Sequence, residues 1–304
     1  MIEHKSVLKE EVLNFLNLKE DGLYADVTLG LGGHSLSILE KARGAKLLGL
    51  DLHLPSLKIA SRKLEKYKER VILKNENFCN LKRVLEEIRW KGLNGILADL
   101  GLSRYEIEES GLGFSFRKDE ELDMNLSGKG KKAKDILNNA SQKELERILK
   151  EYGEEPYAKK IARRIVEERK KKPISTTKEL ADIVLEEKKK GSKKIHPATQ
   201  TFMALRIAVN SELENLKKFI PQAIEVLFPS GRLLIISFHS LEDRIVKNSF
   251  KKYSGKCYCG QDPCICFPEK KGKIVTKKPV TPNEEEKREN PLSRSAKLRV
   301  FEKL

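Results

Sequence analysis

Long apolar runs are missing from this chain of 304 residues. The longest, such as Leu233-Leu234-Ile235-Ile236, are strand-sized, against the roughly 20 residues that a membrane-spanning helix needs. A membrane-embedded protein is therefore not expected. The first eleven residues include Glu3, His4, Lys5, Lys9, Glu10 and Glu11 without an apolar signal core, so the expected setting is the cytosol. Cysteine is scarce: five residues do not make a disulfide scaffold. Aromatic residues are only 6% of the chain, too few for a large base-stacking platform. Neither Gly-x-Ser-x-Gly nor a Walker loop occurs, which removes support for acyl transfer and for nucleotide hydrolysis.

What is present is apolar content and positive charge. Hydrophobic residues make up 39%, enough to bury a core and to rule out wholesale disorder. Lys and Arg number 61 against 45 Asp and Glu, a net charge of +16. A surplus of that size favours a polyanionic partner, such as nucleic acid or an anionic membrane surface. The length fits one large domain or two modest ones.

The N-terminal third alternates strand and helix patterns. Strands are predicted at 22–27, 45–51, 70–74 and 93–100, with helices over 6–18, 35–41, 55–67 and 81–90. This rhythm predicts crossover units and a parallel sheet covered on both faces. It stops near residue 104. From Asp119 to Lys194 the patterns are helical, and 159–194 holds 14 basic against 6 acidic residues, half of the whole surplus. Further helices are predicted at 202–209 and 212–227, then a buried strand at 231–238 and a closing strand at 296–301. The tail from Lys251 to Pro291 shows little periodicity. The simplest organisation is a sheet domain interrupted by a helical insertion.

The segment Asp26-Val27-Thr28-Leu29-Gly30-Leu31-Gly32-Gly33-His34-Ser35 places three glycines between a strand and a helix. Such a turn lets backbone approach a ligand closely. Asp51 closes the next strand, 18 residues beyond Gly33, where an acid accepts hydrogen bonds from ribose hydroxyls. Ser35 stands where a dinucleotide fingerprint has its third glycine, which disfavours a nicotinamide-dependent dehydrogenase. Asp26 is a poor neighbour for a diphosphate but suits a ligand with positive charge, such as the amino-acid end of S-adenosylmethionine. Asp99 ends another apolar strand. There it can accept a hydrogen from an exocyclic amine and orient the nitrogen for attack on a methyl group, or simply cap a turn. His239-Ser240-Leu241-Glu242-Asp243-Arg244 follows a buried strand and reads either as reactive side chains or as a capped helix start. The basic runs Arg169-Lys170-Lys171-Lys172 and Lys188-Lys189-Lys190 with Lys193-Lys194 can neutralise phosphates or form a solvated helix face. Cys257-x-Cys259 and Cys264-x-Cys266 bring four sulfurs close enough for zinc, yet common zinc pairs have two intervening residues. No metal ligand is assigned from sequence.

Several stretches together carry a family resemblance: 4–8, 26–35, 99–103, Gly113-Phe114-Ser115-Phe116, Leu122-Asp123-Met124, Tyr152-Gly153-Glu154-Glu155, His196-Pro197-Ala198-Thr199, 204–207 with Asn210, 237–244 and 293–299. Each is weak singly; in this order they are specific. The chain resembles the small-subunit ribosomal RNA methyltransferase H family, also called MraW. The resemblance implies an α/β class I methyltransferase with a Rossmann-like, mostly parallel sheet and an inserted all-helical domain. It implies an S-adenosylmethionine-binding domain from 1–107 and 205–304, and an RNA-recognition insertion over 108–204. It implies N4-methylation of a cytidine in the decoding region of 16S ribosomal RNA, with the small ribosomal subunit as partner. Cofactor contacts carry over onto Gly32, Gly33, His34, Asp51, Phe78 and Asp99, and Glu106 stands at a further contact position where the family has Gln. That exchange keeps an acceptor, loses two donors and adds charge. Asp99 and His239 are the candidate catalytic residues. Arg104, Asn125, Ser127, Gln200 and Met203 also depart from the family pattern, and a non-catalytic ribosome-assembly factor is the alternative reading.

Overall fold

The structure is a computed structural model, which describes residues 6–188, 196–261 and 265–304. In chain order the first half of the sheet domain runs α1 (Lys9–Leu16), β1 (Leu23–Asp26), α2 (Gly33–Lys41), β2 (Lys46–Asp51), α3 (Leu54–Lys63), β3 (Val71–Asn75), α4 (Leu81–Glu87) and β4 (Leu93–Asp99). A helical stretch follows: α5 (Arg104–Glu108), α6 (Ala133–Asn139), α7 (Gln142–Gly153), α8 (Ala158–Glu168), α9 (Thr177–Lys188) and α10 (Thr199–Asn210). The chain then runs through α11 (Glu212–Val226), β5 (Leu227–Ser237), α12 (Ser240–Tyr253), β6 (Gly272–Ile274), α13 (Glu284–Glu289) and β7 (Lys297–Lys303). Two compact units result, one of residues 1–101 and 213–304 and one of residues 102–212.

The first unit holds a seven-stranded sheet in the order β3-β2-β1-β4-β5-β7-β6. Strands β1 to β5 are parallel to their neighbours, and β7 runs antiparallel between β5 and β6. The α/β class and the mostly parallel Rossmann-like sheet expected from the sequence are therefore present. The strands are apolar on both faces because both faces are covered. Alternate residues sort by side, as a period of two requires. Ala25, Leu48, Ile96, Leu233 and Ile235 face α4, α11 and α12, among them Leu85, Phe219 and Phe250. Tyr24, Leu47, Leu97, Leu234 and Ile236 face α1, α2 and α3, among them Leu16, Ile38 and Leu57.

Two elements of the tail escaped the pattern reading. Strand β6 has only three residues, too short for alternation to register. Helix α13 has its signal in a cap rather than in a stripe: Asn283 accepts from the Glu286 amide at 2.8 Å, with acids in the first turn and bases in the last. Glu286 in turn accepts the Leu8 amide at 2.7 Å.

The second unit is helical, as its 3.6-residue stripes predict. Leu122, Leu137, Leu145, Ile148, Ile161, Ile165, Leu180, Phe202 and Leu205 share one core. Two bases of the predicted phosphate-binding runs serve its interior instead. Lys188 Nζ lies 2.6 Å from Glu155, with side chains 9% and 0% exposed, and also donates to the Pro197 carbonyl at 2.7 Å. Arg169 donates to the carbonyls of Leu137 and Ala140 at the end of α6. Lys171 and Lys172 pair with Glu168 and Glu179. Lys189, Lys190, Lys193 and Lys194 lie outside the described residues. Replacing Lys188 by Met should strand the buried Glu155 charge and lower stability by about 3–5 kcal/mol. Removing both charges in Lys188→Met with Glu155→Leu should recover much of that loss, which denaturant midpoints for the three proteins would show.

Candidate active site

Strand β1 is third of the seven strands, with the chain winding to β2 on one side and to β4 on the other. Ligands of open parallel sheets sit beyond the carboxyl ends at such a switch point. Register places Asp26 opposite Gly49 of β2 and Leu97 of β4, while Asp51 and Asp99 close β2 and β4. Three carboxylates therefore end three adjacent strands. Backbone pairing continues past the strand ends: the Val27 amide donates to Leu97 O and the Leu29 amide to Leu50 O. The turn after β1 is thereby held over both neighbours.

Asp26 is buried, and its Oδ2 accepts the Ser35 hydroxyl at 2.7 Å. Burial pushes its carboxyl above the ordinary carboxylate range; His34 and Ser35 pull the other way, and Asp99 adds to the rise. His34 Nε2 lies 3.6 Å from Asp99 Oδ2, beyond hydrogen-bond range. Asp26 Oδ1, Asp99 Oδ1 and both His34 ring nitrogens are buried without a hydrogen-bond partner among the described residues. They are four of ten such side-chain atoms. Buried polar atoms are nearly always satisfied, so their concentration at one sheet edge marks a place shaped for a polar, partly cationic ligand.

The glycine turn is built for close approach. Gly32 caps α2 with φ 74°, a conformation that disfavours residues with a Cβ. A Cβ on Gly33 would overlap the Ser6 hydroxyl. Asp51 ties the turn to β2: its Oδ2 accepts the Gly30 amide and its Oδ1 the His53 amide, each at 2.7 Å. Phe78 sits just beyond β3, edge-on to Phe219 with ring centroids 5.2 Å apart. It offers an apolar wall. Sequence reasoning missed Thr28, whose Oγ1 accepts the Asp99 amide at 2.6 Å and so sets the end of β4. A hydroxyl inside a glycine-rich loop was the available signal.

His239 follows β5 at the same edge, since Ile236 pairs with Asp99, whereas Glu106 lies elsewhere. His239 is the N-cap of α12, and its Nε2 lies 3.1 Å from Glu242 Oε1. Glu242, 3% exposed, also accepts the amides of Phe238 and His239. Glu242 thus caps the start of α12, while both His239 ring nitrogens are buried without a hydrogen-bond partner among the described residues. Glu106 belongs to the helical unit, where its Oε2 accepts the Ser103 amide at 2.7 Å and hydroxyl at 2.9 Å in a capping box. Two departures from the family pattern form one loop: Asn125 Oδ1 accepts the Ser127 hydroxyl at 2.7 Å, and its amide donates to Lys129 O.

The frame of strands, glycine turn and strand-end acids fits S-adenosylmethionine, a nucleoside that carries an amino acid and a sulfonium. Asp26 suits the α-amino group, Asp51 the ribose and Phe78 the adenine.

Comparison with known proteins agrees. Ribosomal RNA small subunit methyltransferase H of Lachnospira eligens is 43% identical over 311 residues, covering 99% of this chain and 98% of that protein. The protein of the same name from Clostridium botulinum strain 657 is 47% identical over 312 residues, covering 99% of each. That from Sulfurihydrogenibium sp. is 47% identical over 303 residues, again covering 99% of each. The MraW methylase family profile matches residues 1–304, and with relatives this similar from end to end, the chain belongs to the MraW methylase family.

Proposed function

We propose that this protein methylates N4 of a cytidine in the decoding region of 16S ribosomal RNA. The observation that carries the chemistry is the group of unpartnered acceptors at the switch point, above all Asp99 Oδ1. The names of its relatives support the ribosomal RNA substrate. Bound S-adenosylmethionine would supply an electrophilic methyl group. A cytosine amine is a weak nucleophile because its lone pair is delocalised into the ring. Asp99 would accept one amine hydrogen, fix the nitrogen in line with the methyl and stabilise the charge that develops as the N–C bond forms. Thr28 holds the strand end that presents Asp99, which makes it a positioning residue. Asp26 would hold the ligand's ammonium group, and Asp51 its ribose. The target base must leave its stack to enter such a pocket. The helical unit would recognise RNA through bases on its surface, such as Lys159, Lys160 and Lys170, which are exposed. His239 would act through the α12 cap rather than in the transfer itself.

The test is methyl transfer from labelled S-adenosylmethionine to small ribosomal subunits that lack the modification, followed by nucleoside mass spectrometry. N4-methylcytidine is the expected product. Cofactor binding without transfer would favour the assembly-factor alternative and direct attention to the local loop of Asn125 and Ser127.

A further inference from the structure

One cluster of side chains has no part in methyl transfer. Cys257, Cys259 and Cys266 lie in the loop between α12 and β6, and their sulfurs fall within 4.8 Å of one another. The neck of this loop is closed by backbone bonds: Glu269 N to Lys252 O at 2.8 Å, Gly255 N to Glu269 O at 3.1 Å and Lys271 N to Tyr253 O at 2.8 Å. Among the described residues of the loop, the apolar side chains Ile265 and Phe267 are 64% and 85% exposed. A segment with so little to bury needs another constraint to adopt one conformation.

We propose that Cys257, Cys259 and Cys266 bind a single zinc ion that orders this loop. Three features carry the assignment. Cys257 Sγ and Cys259 Sγ are 3.6 Å apart, close to the edge of about 3.8 Å that a tetrahedron with Zn–S bonds near 2.3 Å requires. The amide of Tyr258 donates to Cys266 Sγ at 3.4 Å. Amides aimed at sulfur stabilise the thiolate form that a metal needs. The donor set is soft, which selects zinc over magnesium or calcium. The single intervening residue between Cys257 and Cys259 departs from the usual two, and Cys266 supplies a third sulfur within 4.8 Å of both. Cys264 lies outside the described residues and is left out of the site.

The test uses the full chain, stripped of metal under reducing conditions and titrated with cobalt(II) alone. Thiolate-to-cobalt charge-transfer absorption should rise and saturate near one equivalent, about one ion per chain. Zinc should then displace the cobalt and abolish the band. The double variant Cys257→Ser with Cys259→Ser should lose the band while keeping its circular dichroism and its binding of S-adenosylmethionine. Cys79→Ser, a cysteine outside the loop, should keep it. Absence of the band at one equivalent in the wild-type chain, or its persistence in the double variant, would overturn the assignment.

Discussion

Replacement of Asp99 by Ala is expected to lower methyl transfer by about 10²–10³-fold, the usual effect of deleting one preorganised polar group at a reacting centre. Stability should barely change. The backbone of Asp99 is held without the side chain, through its amide to Thr28 and the pairing of β4 with β1 and β5. Its Oδ1 has no hydrogen-bond partner among the described residues. Asp99→Asn keeps an acceptor oxygen without the charge and should fall between the two. Single-turnover transfer to unmodified small subunits measures the chemical step, and calorimetry with S-adenosylmethionine separates it from cofactor binding. Near wild-type single-turnover rates in Asp99→Ala would remove the residue from the mechanism.

Asp26→Asn should separate stability from function. The protein without ligand holds a buried carboxylate with one unpartnered oxygen, and an amide of the same shape keeps the Ser35 hydroxyl bond without the buried charge. The variant should therefore be more stable alone by about 1 kcal/mol. It should bind S-adenosylmethionine about 30-fold more weakly, since losing one partner of a desolvated charge pair costs about 2 kcal/mol. The pH dependence has a definite sign. Burial raises the folded-state pKa of Asp26, so the folded protein binds this proton more tightly than the unfolded chain. Stability from this group is full below the ordinary carboxylate range and is lost as pH rises through the raised value. Asp26→Asn should flatten that slope. Denaturant titrations of both proteins across the acidic range would show it, and an unchanged cofactor affinity in the variant would detach Asp26 from the ligand's ammonium group.

Much of the site was legible before folding. Asp26, Asp51 and Asp99 each follow an apolar strand pattern, and a parallel sheet brings all such ends to one edge. Gly32 was legible too, because a residue free to take positive φ is needed between a strand and a helix. The role of His239 was not, since a histidine after a buried strand reads equally as a reactive group and as a cap. In the fold Glu242 beneath it accepts two backbone amides, while both His239 ring nitrogens are buried without a hydrogen-bond partner among the described residues. Glu106 was ambiguous for the same reason, and its capping bonds to Ser103 describe the folded arrangement.

Residue patterns alone specify the alternation of strands and helices up to β4, the break into a helical segment and the acids at the strand ends. These follow from periodicity and backbone sterics acting within about a dozen residues. Which polar groups are committed to the protein, and which are buried without a partner among the described residues, is set by the folded arrangement. Lys188 and Arg169 look like phosphate contacts in the sequence and serve as internal braces in the fold. Thr28 looks like an ordinary loop residue and holds Asp99 from 71 positions away. The physical reason is that a hydrogen bond or ion pair satisfies a buried group at short range in space, whatever the separation along the chain, and that proximity exists only after the sheet and the helical core have closed.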